Sequence, residues 1–277
     1  MRRAPSVLSA LGTALAAAVL LLVAIAALWP GLLATDPPNA VDPAQALLGP
    51  GPGHWFGTDQ LGRDIYSRVV HGARPSLLLG LGATLVAVGA GAVLAMIAVV
   101  GGRVADEIVM RLTDVLLAFP GALLALLVVA VLGPGTGNAT LAIGAAFAPG
   151  FARLVRGEAL VVRESDYVRA ATVLGYRRAE VYLRHVLPNA LPPLLVLATL
   201  SVGTAVLAGS ALSFLGLGPQ PPSPEWGAML SAGRDLLGST WAIAVFPGAA
   251  LTATVVCVNV VGRDLRNRFE GRRPGAG

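Results

Sequence analysis

Five stretches of this chain contain no Asp, Glu, Lys or Arg: residues 4–35, 75–102, 115–152, 186–224 and 236–262, which are 32, 28, 38, 39 and 27 residues long. About 20 apolar residues in a helix cross the roughly 30 Å hydrocarbon core of a bilayer. Lipid offers no partner to an open backbone amide, so such a run closes its own hydrogen bonds as a helix. Every run is long enough to cross. The third is too long for one helix and contains Gly133-Pro134-Gly135-Thr136-Gly137-Asn138, a cluster of turn formers, so it divides into two spans, the second one short. The fourth holds one span near residues 191–217, followed by the proline-rich stretch 218–224. The expected fold class is all-α: a polytopic membrane protein with six transmembrane helices. A β-barrel is excluded because the runs are continuous rather than alternating. Residues 7–28 follow Arg2 and Arg3, as a secretory signal would. They exceed the core of about 7–15 residues that a signal uses and lead to no small-x-small cleavage pattern, so an uncleaved span is expected.

Charge then orients the chain. Charged residues make up 13% of it and apolar ones 55%, where a soluble domain carries about 25% charged. That excludes a soluble globular protein and a disordered chain. All twenty basic residues are Arg. With the N-terminus inside, the inner segments hold sixteen Arg against nine acids and the outer ones four (Arg63, Arg68, Arg74, Arg234) against six, a net +7 and −2. Positive charge stays on the cytoplasmic side, so both termini are expected in the cytoplasm. The pI of about 10.3 thus records membrane orientation, not a nucleic-acid partner. Four regions follow: an N-terminal end and first span (1–35), an extracytoplasmic segment with an interfacial helix over 65–73 (36–74), a five-helix core (75–265) with a cytoplasmic loop at 153–188, and a tail (266–277). Trp29, Trp55, Trp226 and Trp241 all fall near outer boundaries, as an interfacial aromatic belt does.

The cytoplasmic loop holds seven Arg and a capped pattern. Ser165 or Asp166 is placed to cap a short helix over 167–174. Val168, Ala171 and Leu174 fall on one of its faces with Arg169 opposite, and Gly175 supplies the left-handed residue that ends it. A second amphipathic helix, about 177–187, is expected to stop where Pro188-Asn189 begins a turn. Helix, glycine turn and helix make a compact projection, and small Ala170 and Ala171 let a partner backbone come close.

Chemistry is conspicuous by omission. Without Lys, the Gly-rich phosphate loop ending in Gly-Lys-Ser/Thr is impossible. No His-Glu-x-x-His or Cys-x-x-Cys occurs, and the lone Cys257 makes no intrachain disulfide. His54 and His71 are expected outside and His185 inside, so they form no common metal site. Ser210 lies in a span with no His in any span to activate it. No catalytic residue, metal or cofactor is expected. No Asp, Glu or Arg falls inside an expected span, whereas ion-coupled carriers often keep such groups. An ion-coupled carrier, a lone channel and an intramembrane enzyme are all disfavoured, and the energy for any transport comes from outside the chain. Pro120 and Pro149, within apolar runs, are expected to kink helices.

Asp166-Tyr167-Val168-Arg169-Ala170-Ala171-Thr172-Val173-Leu174-Gly175, and after nine further residues His185-Val186-Leu187-Pro188-Asn189-Ala190-Leu191-Pro192-Pro193, resemble the cytoplasmic "EAA" loop of ABC importer permeases. Gly57-Thr58-Asp59-Gln60-Leu61-Gly62-Arg63-Asp64, Arg111-Leu112-Thr113-Asp114, Arg153-Leu154-Val155-Arg156-Gly157 and Pro221-Pro222-Ser223-Pro224-Glu225-Trp226-Gly227 resemble motifs of the dipeptide/oligopeptide/nickel subfamily, in particular its second, C-type permease. The likeness covers about residues 55–265. It implies a type I ABC importer permease fold in a bacterial cell membrane. It also implies four kinds of neighbour: a second homologous permease subunit, two ATP-binding cassette subunits that hydrolyse the ATP, an extracytoplasmic substrate-binding protein and the lipid bilayer. Peptides are the expected cargo, with nickel or another small solute as the alternative. By the same resemblance Tyr167, Val168, Arg169, Ala170, Ala171, Leu174, Gly175, Leu187 and Pro188 form the ATPase-coupling loop. Gly57, Thr58, Asp59, Gly62, Arg63 and Asp64 form the extracytoplasmic motif. Two positions depart from the pattern: Arg169 stands where the first residue of the EAA triplet is acidic, and Gly209 where an acid is frequent.

Overall fold

The structure is a computed structural model and describes residues 7–270; the expected cytoplasmic ends at 1–6 and 271–277 lie outside the described residues. Helices are α1 (Val7–Leu28), α2 (Ile65–Val100), α3 (Gly102–Ala118), α4 (Gly121–Leu132), α5 (Thr136–Arg163), α6 (Asp166–Val173), α7 (Arg178–Val181), α8 (Leu187–Phe214), α9 (Trp226–Gly233) and α10 (Ala242–Glu270). No strand occurs among the described residues. Five helices are long and apolar enough to cross a membrane; α3 and α4, bent 97° at the break between them, make a sixth if taken as one broken span.

The bundle is built on α2. Its 36 residues rise about 54 Å at 1.5 Å each, more than a bilayer core needs. Ser76, Gly80, Ala83, Ala87, Gly91 and Ala95 are buried along it, and these small residues let α5 and α8 come close. A Cβ on Gly80 would lie 2.2 Å from Val206 Cγ2, and one on Gly91 2.5 Å from Phe151 Cβ and 2.9 Å from Ala152 N. The same packing buries Ala139, Ala142, Ile143, Ala152 and Val155 of α5. The first helix, α1, packs on α10 and α2 through Ala16, Ala26 and Ala27, while Leu11, Leu15, Leu21 and Leu22 stay exposed, as lipid-facing residues do.

The turn cluster at 133–138 does divide the third run, but the short helix is the one before it. Pro120 disfavours the α conformation for the preceding residue, and Phe119 is extended (φ −89°, ψ 143°). Residues 115–118 therefore finish α3, which leaves 12 residues for α4. Helix α5 runs on for 28 residues because Arg153, Arg156 and Glu158 lie on its course without breaking it. Pro120 thus marks the sharp bend, whereas Pro149 sits inside α5 without interrupting it.

Two further expectations are corrected. The helix over 65–73 is not a separate interfacial element; it opens α2, whose N-cap Asp64 accepts from Ser67 N at 2.7 Å. Pro75 removes one donor but does not end the helix, because residues 224–226 pack on this stretch: a Cβ on Gly72 would lie 2.2 Å from Pro224 O. Pro188 does not stop the second cytoplasmic helix either. The backbone passes from α7 into α8 through a π turn, Tyr182–Val186, whose wider ring absorbs a missing amide. Asn189 Nδ2 donates to His185 O at 2.7 Å, giving this carbonyl within the turn a side-chain donor.

Candidate coupling and extracytoplasmic sites

Helix α6 follows α5 after two residues. Ser165 is its N-cap by conformation (φ −71°, ψ 149°), but its hydroxyl donates back to Val162 O at 2.6 Å and does not cap the new helix. At the other end the expected glycine turn is complete. Gly175 has φ +85°, Tyr176 N donates to Ala171 O at 3.3 Å and Gly175 N to Thr172 O at 3.1 Å. These two bonds satisfy carbonyls the helix leaves open.

Val168 and Ala171 anchor α6, buried with Val99 of α2, Ala159 of α5, and Val181, Tyr182, Val186 and Ala190. Leu174, expected on the same face, is 77% exposed because the helix has already turned at its C-cap. Tyr167, Val173, Tyr176 and Leu183 are exposed too, as are Arg169, Ala170, Gly175 and Pro188, with Leu187 half-buried. The projection therefore stands on the bundle by a small apolar foot and presents a mixed apolar and basic outer face. Arg169 donates to Glu164 Oε2 at 3.1 Å. That bond, then the Arg163 guanidinium beside it, holds the Glu164 carboxyl below its ordinary range.

The expected extracytoplasmic motif folds into a knot. Gly57 and Gly62 have φ +77° and +72°, and a Cβ would lie 2.4 Å from Leu48 O at the first and 1.7 Å from Asp42 O at the second. Only glycine satisfies both constraints. Thr58, Asp59, Arg63 and Asp64 are buried. Asp59 accepts from Leu61 N (2.8 Å), Arg63 N (3.1 Å) and Arg63 Nε (2.6 Å). Thr58 Oγ1 accepts from Leu48 N at 2.9 Å and donates to Gln45 O. Arg68 donates to Pro38 O at 2.8 Å and Asn39 Oδ1 at 3.0 Å, tying the start of the segment to α2. Asp36, His54 and Asp64 bring possible ligand atoms within 4.8 Å of one another. His54 is engaged at both nitrogens, with Asp64 Oδ1 (2.9 Å) and Gln45 Oε1 (2.7 Å), and Asp64 also caps α2. His54 and Asp64 thus sit in a hydrogen-bond network, and Asp36 joins it through its backbone N, which donates to Ser67 Oγ at 3.0 Å.

Residues 224–227 hold what sequence reasoning missed. Glu225 is fully buried, and its carboxylate accepts from Ser76 Oγ (3.1 Å), Ser210 Oγ (3.3 Å), Gly227 N (2.9 Å) and Ala228 N (2.9 Å). It joins α2, α8 and α9 at one point. Trp226 does not belong to the aromatic belt: it is 1% exposed, with Nε1 donating to Val69 O at 2.9 Å. Trp29, Trp55 and Trp241 are exposed. The signal that marked the place was Gly227, whose Cβ would lie 2.3 Å from Ser210 O.

Residues 87–273 match the family described as "Binding-protein-dependent transport system inner membrane component". The probable D,D-dipeptide transport system permease protein DdpC of Escherichia coli (strain K12) is 42% identical over 264 residues, covering 95% of this chain and 88% of its own length. The dipeptide transport system permease protein DppC of Alkalihalophilus pseudofirmus is 42% identical, covering 88% of this chain and 80% of its own. The glutathione transport system permease protein GsiD of Pectobacterium atrosepticum is 41% identical, covering 91% and 84%. Among solved structures, an inward-facing conformation of the MetNI methionine ABC transporter superposes with a TM-score of 0.57 at 19% identity, over 73% of this chain and 95% of that one, and shares the fold. A matched region of this extent, relatives above 40% identity over most of both chains and a bundle of apolar helices have one reading: the chain belongs to the family of inner membrane components of binding-protein-dependent transport systems.

Proposed function

We propose that the chain is the permease subunit of an ATP-driven importer of small peptides. In this reading it forms half of a translocation path with a second, homologous permease. An external binding protein delivers the peptide, and two ATP-binding subunits on the cytoplasmic side supply the energy. The chain itself contributes docking surfaces and moving helices, not catalytic groups. The peptide class rests on relatives whose names specify D,D-dipeptide, dipeptide and glutathione transport. The observation that carries the coupling role is the shape of residues 165–188. A short helix and glycine turn stand on the ends of α2 and α5 through Val168 and Ala171, with Tyr167, Val173, Leu174 and Tyr176 exposed. An exposed apolar cluster rimmed by arginine is a surface for a protein partner.

Gly175→Leu tests it. Nothing lies within 4 Å of a Cβ there, so the left-handed backbone is strained by only about 1–2 kcal/mol while bulk is added at the outer surface. Uptake by the reconstituted importer and retention of the ATP-binding subunits on purification should both fall, with the permease still inserted in the membrane. Full assembly together with unimpaired uptake overturns the coupling role.

A further inference from the structure

Helix α3 is a strut with a break at each end. Gly101-Gly102, with Gly102 at φ +85°, separates it from α2, and Phe119-Pro120 separates it from α4. Asp106, Val109, Met110 and Thr113 fall on one stripe of it; Val109 and Thr113 are buried, Asp106 and Met110 half-buried. Two ion pairs fasten α3 to α5. Arg156 donates through both arms of its fork to Asp106, Nε to Oδ1 and Nη2 to Oδ2, the second at 2.5 Å. Arg153 Nη2 donates to Asp114 Oδ1 nearer the bend. The first pair is the more enclosed, each side chain 29% exposed against 54% and 63% for Arg153 and Asp114. Arg156 also stands two turns, about 10 Å at 1.5 Å per residue, before the end of α5, from which the α6 projection follows after two residues.

We infer that the Arg156–Asp106 pair is the joint through which displacement of α6 at the cytoplasmic face is passed to the broken α3–α4 span. Apolar side chains in contact slide past one another, whereas a bidentate guanidinium–carboxylate pair fixes distance, plane and register together. When α6 moves, the end of α5, two residues before it, moves with it, and α5 is one unbroken helix from there back to Arg156. Asp106 then follows Arg156, and α3 pivots about the glycines at one end and Pro120 at the other. Helix α4 packs on α5 beyond that bend, where Gly121, Ala125, Ile143, Phe147, Ala208 and Leu212 leave an apolar cavity of about 110 Å³ between α4, α5 and α8. That space gives α4 room to shift. Arg156 and Asp106 are positioning residues, since neither need touch the cargo. The inference rests on the coupling role proposed for α6.

The test uses the complete importer, reconstituted with its ATP-binding subunits and binding protein in liposomes. It measures peptide uptake and ATP hydrolysis side by side for Asp106→Asn, Arg156→Gln and the exchange Asp106→Arg/Arg156→Asp. Each single variant should lower uptake roughly tenfold while hydrolysis stays within about twofold, and the exchange should restore a substantial share of uptake. Unchanged uptake in both single variants overturns the inference. So does a parallel loss of uptake and hydrolysis, or failure of the complex to assemble, with no recovery in the exchange; the pair then serves folding alone. Gly175→Leu, run alongside, separates the two levels. If it leaves assembly and uptake intact, the coupling role of α6 fails; if it impairs them while the clamp variants do not uncouple, only the joint fails.

Discussion

Glu225 shows how far one side chain is removed from what its charge suggests. Counted by sign, it belongs to an acidic outer loop in water. In the structure it has no exposed surface, and its two oxygens are satisfied by two hydroxyls and two backbone amides from three helices. A buried carboxylate is tolerated when its lone pairs are met, and its removal leaves several donors without an acceptor. Glu225→Ala should therefore destabilise the protein by about 2–4 kcal/mol, read as a lower thermal midpoint of the purified protein in detergent. The loss should be much greater than for Arg169→Ala at the opposite end. Arg169 pairs with Glu164, both side chains exposed, and surface ion pairs contribute about 0–1 kcal/mol. Equal midpoints for the two variants would refute the role given to Glu225.

At the scale of elements, the knot of residues 36–64 depends on backbone shape more than on apolar burial. Gly62 has φ +72° and its missing Cβ leaves room for Asp42 O, which a Cβ would approach to 1.7 Å. Gly62→Ala cannot be accommodated by a rotamer change, so the turn opens. A cost above about 2 kcal/mol is expected, and Arg63, buried in the closed knot, becomes accessible. Limited trypsin digestion should then cut after Arg63 in the variant and leave the parent intact there. Identical digestion patterns would show that the turn tolerates the change. Such features mark the boundary of what the sequence makes legible. The apolar runs, the turn at 133–138 and the glycine cap at 175 are local, and each appears where charge-free length or φ preference places it. The continuity of α7 into α8 past Pro188 runs through a π turn, Tyr182–Val186. The burial of Trp226 depends on Val69, 157 residues away. Neither is encoded in a window of neighbouring residues, and local pattern assigns each to the commoner alternative.

Across the whole molecule, α2 connects the two chemically different ends. Its N-terminus is sewn into the extracytoplasmic knot through Asp64, Ser67 and Arg68, and its C-terminus meets α6 through Val99. One rigid helix thus reaches from the surface where cargo would arrive to the surface where ATP would act, and α5 lies along it with α3 clamped to its cytoplasmic end. Mechanical transport requires elements that move together, and small-residue packing along α2 holds it close against α5 and α8. The arrangement has a direction only if the arginine-rich end is cytoplasmic, as the sixteen-to-four division of Arg implies. Labelling can establish this. With Cys257 replaced by Ser, single cysteines at Arg234 and Arg177, both exposed, should react oppositely with a membrane-impermeant maleimide on bacterial spheroplasts. Arg234→Cys should label in intact spheroplasts and Arg177→Cys only after lysis. The reverse pattern would place α6 outside, where no ATP-binding subunit could reach it, and would overturn the orientation and the coupling role together.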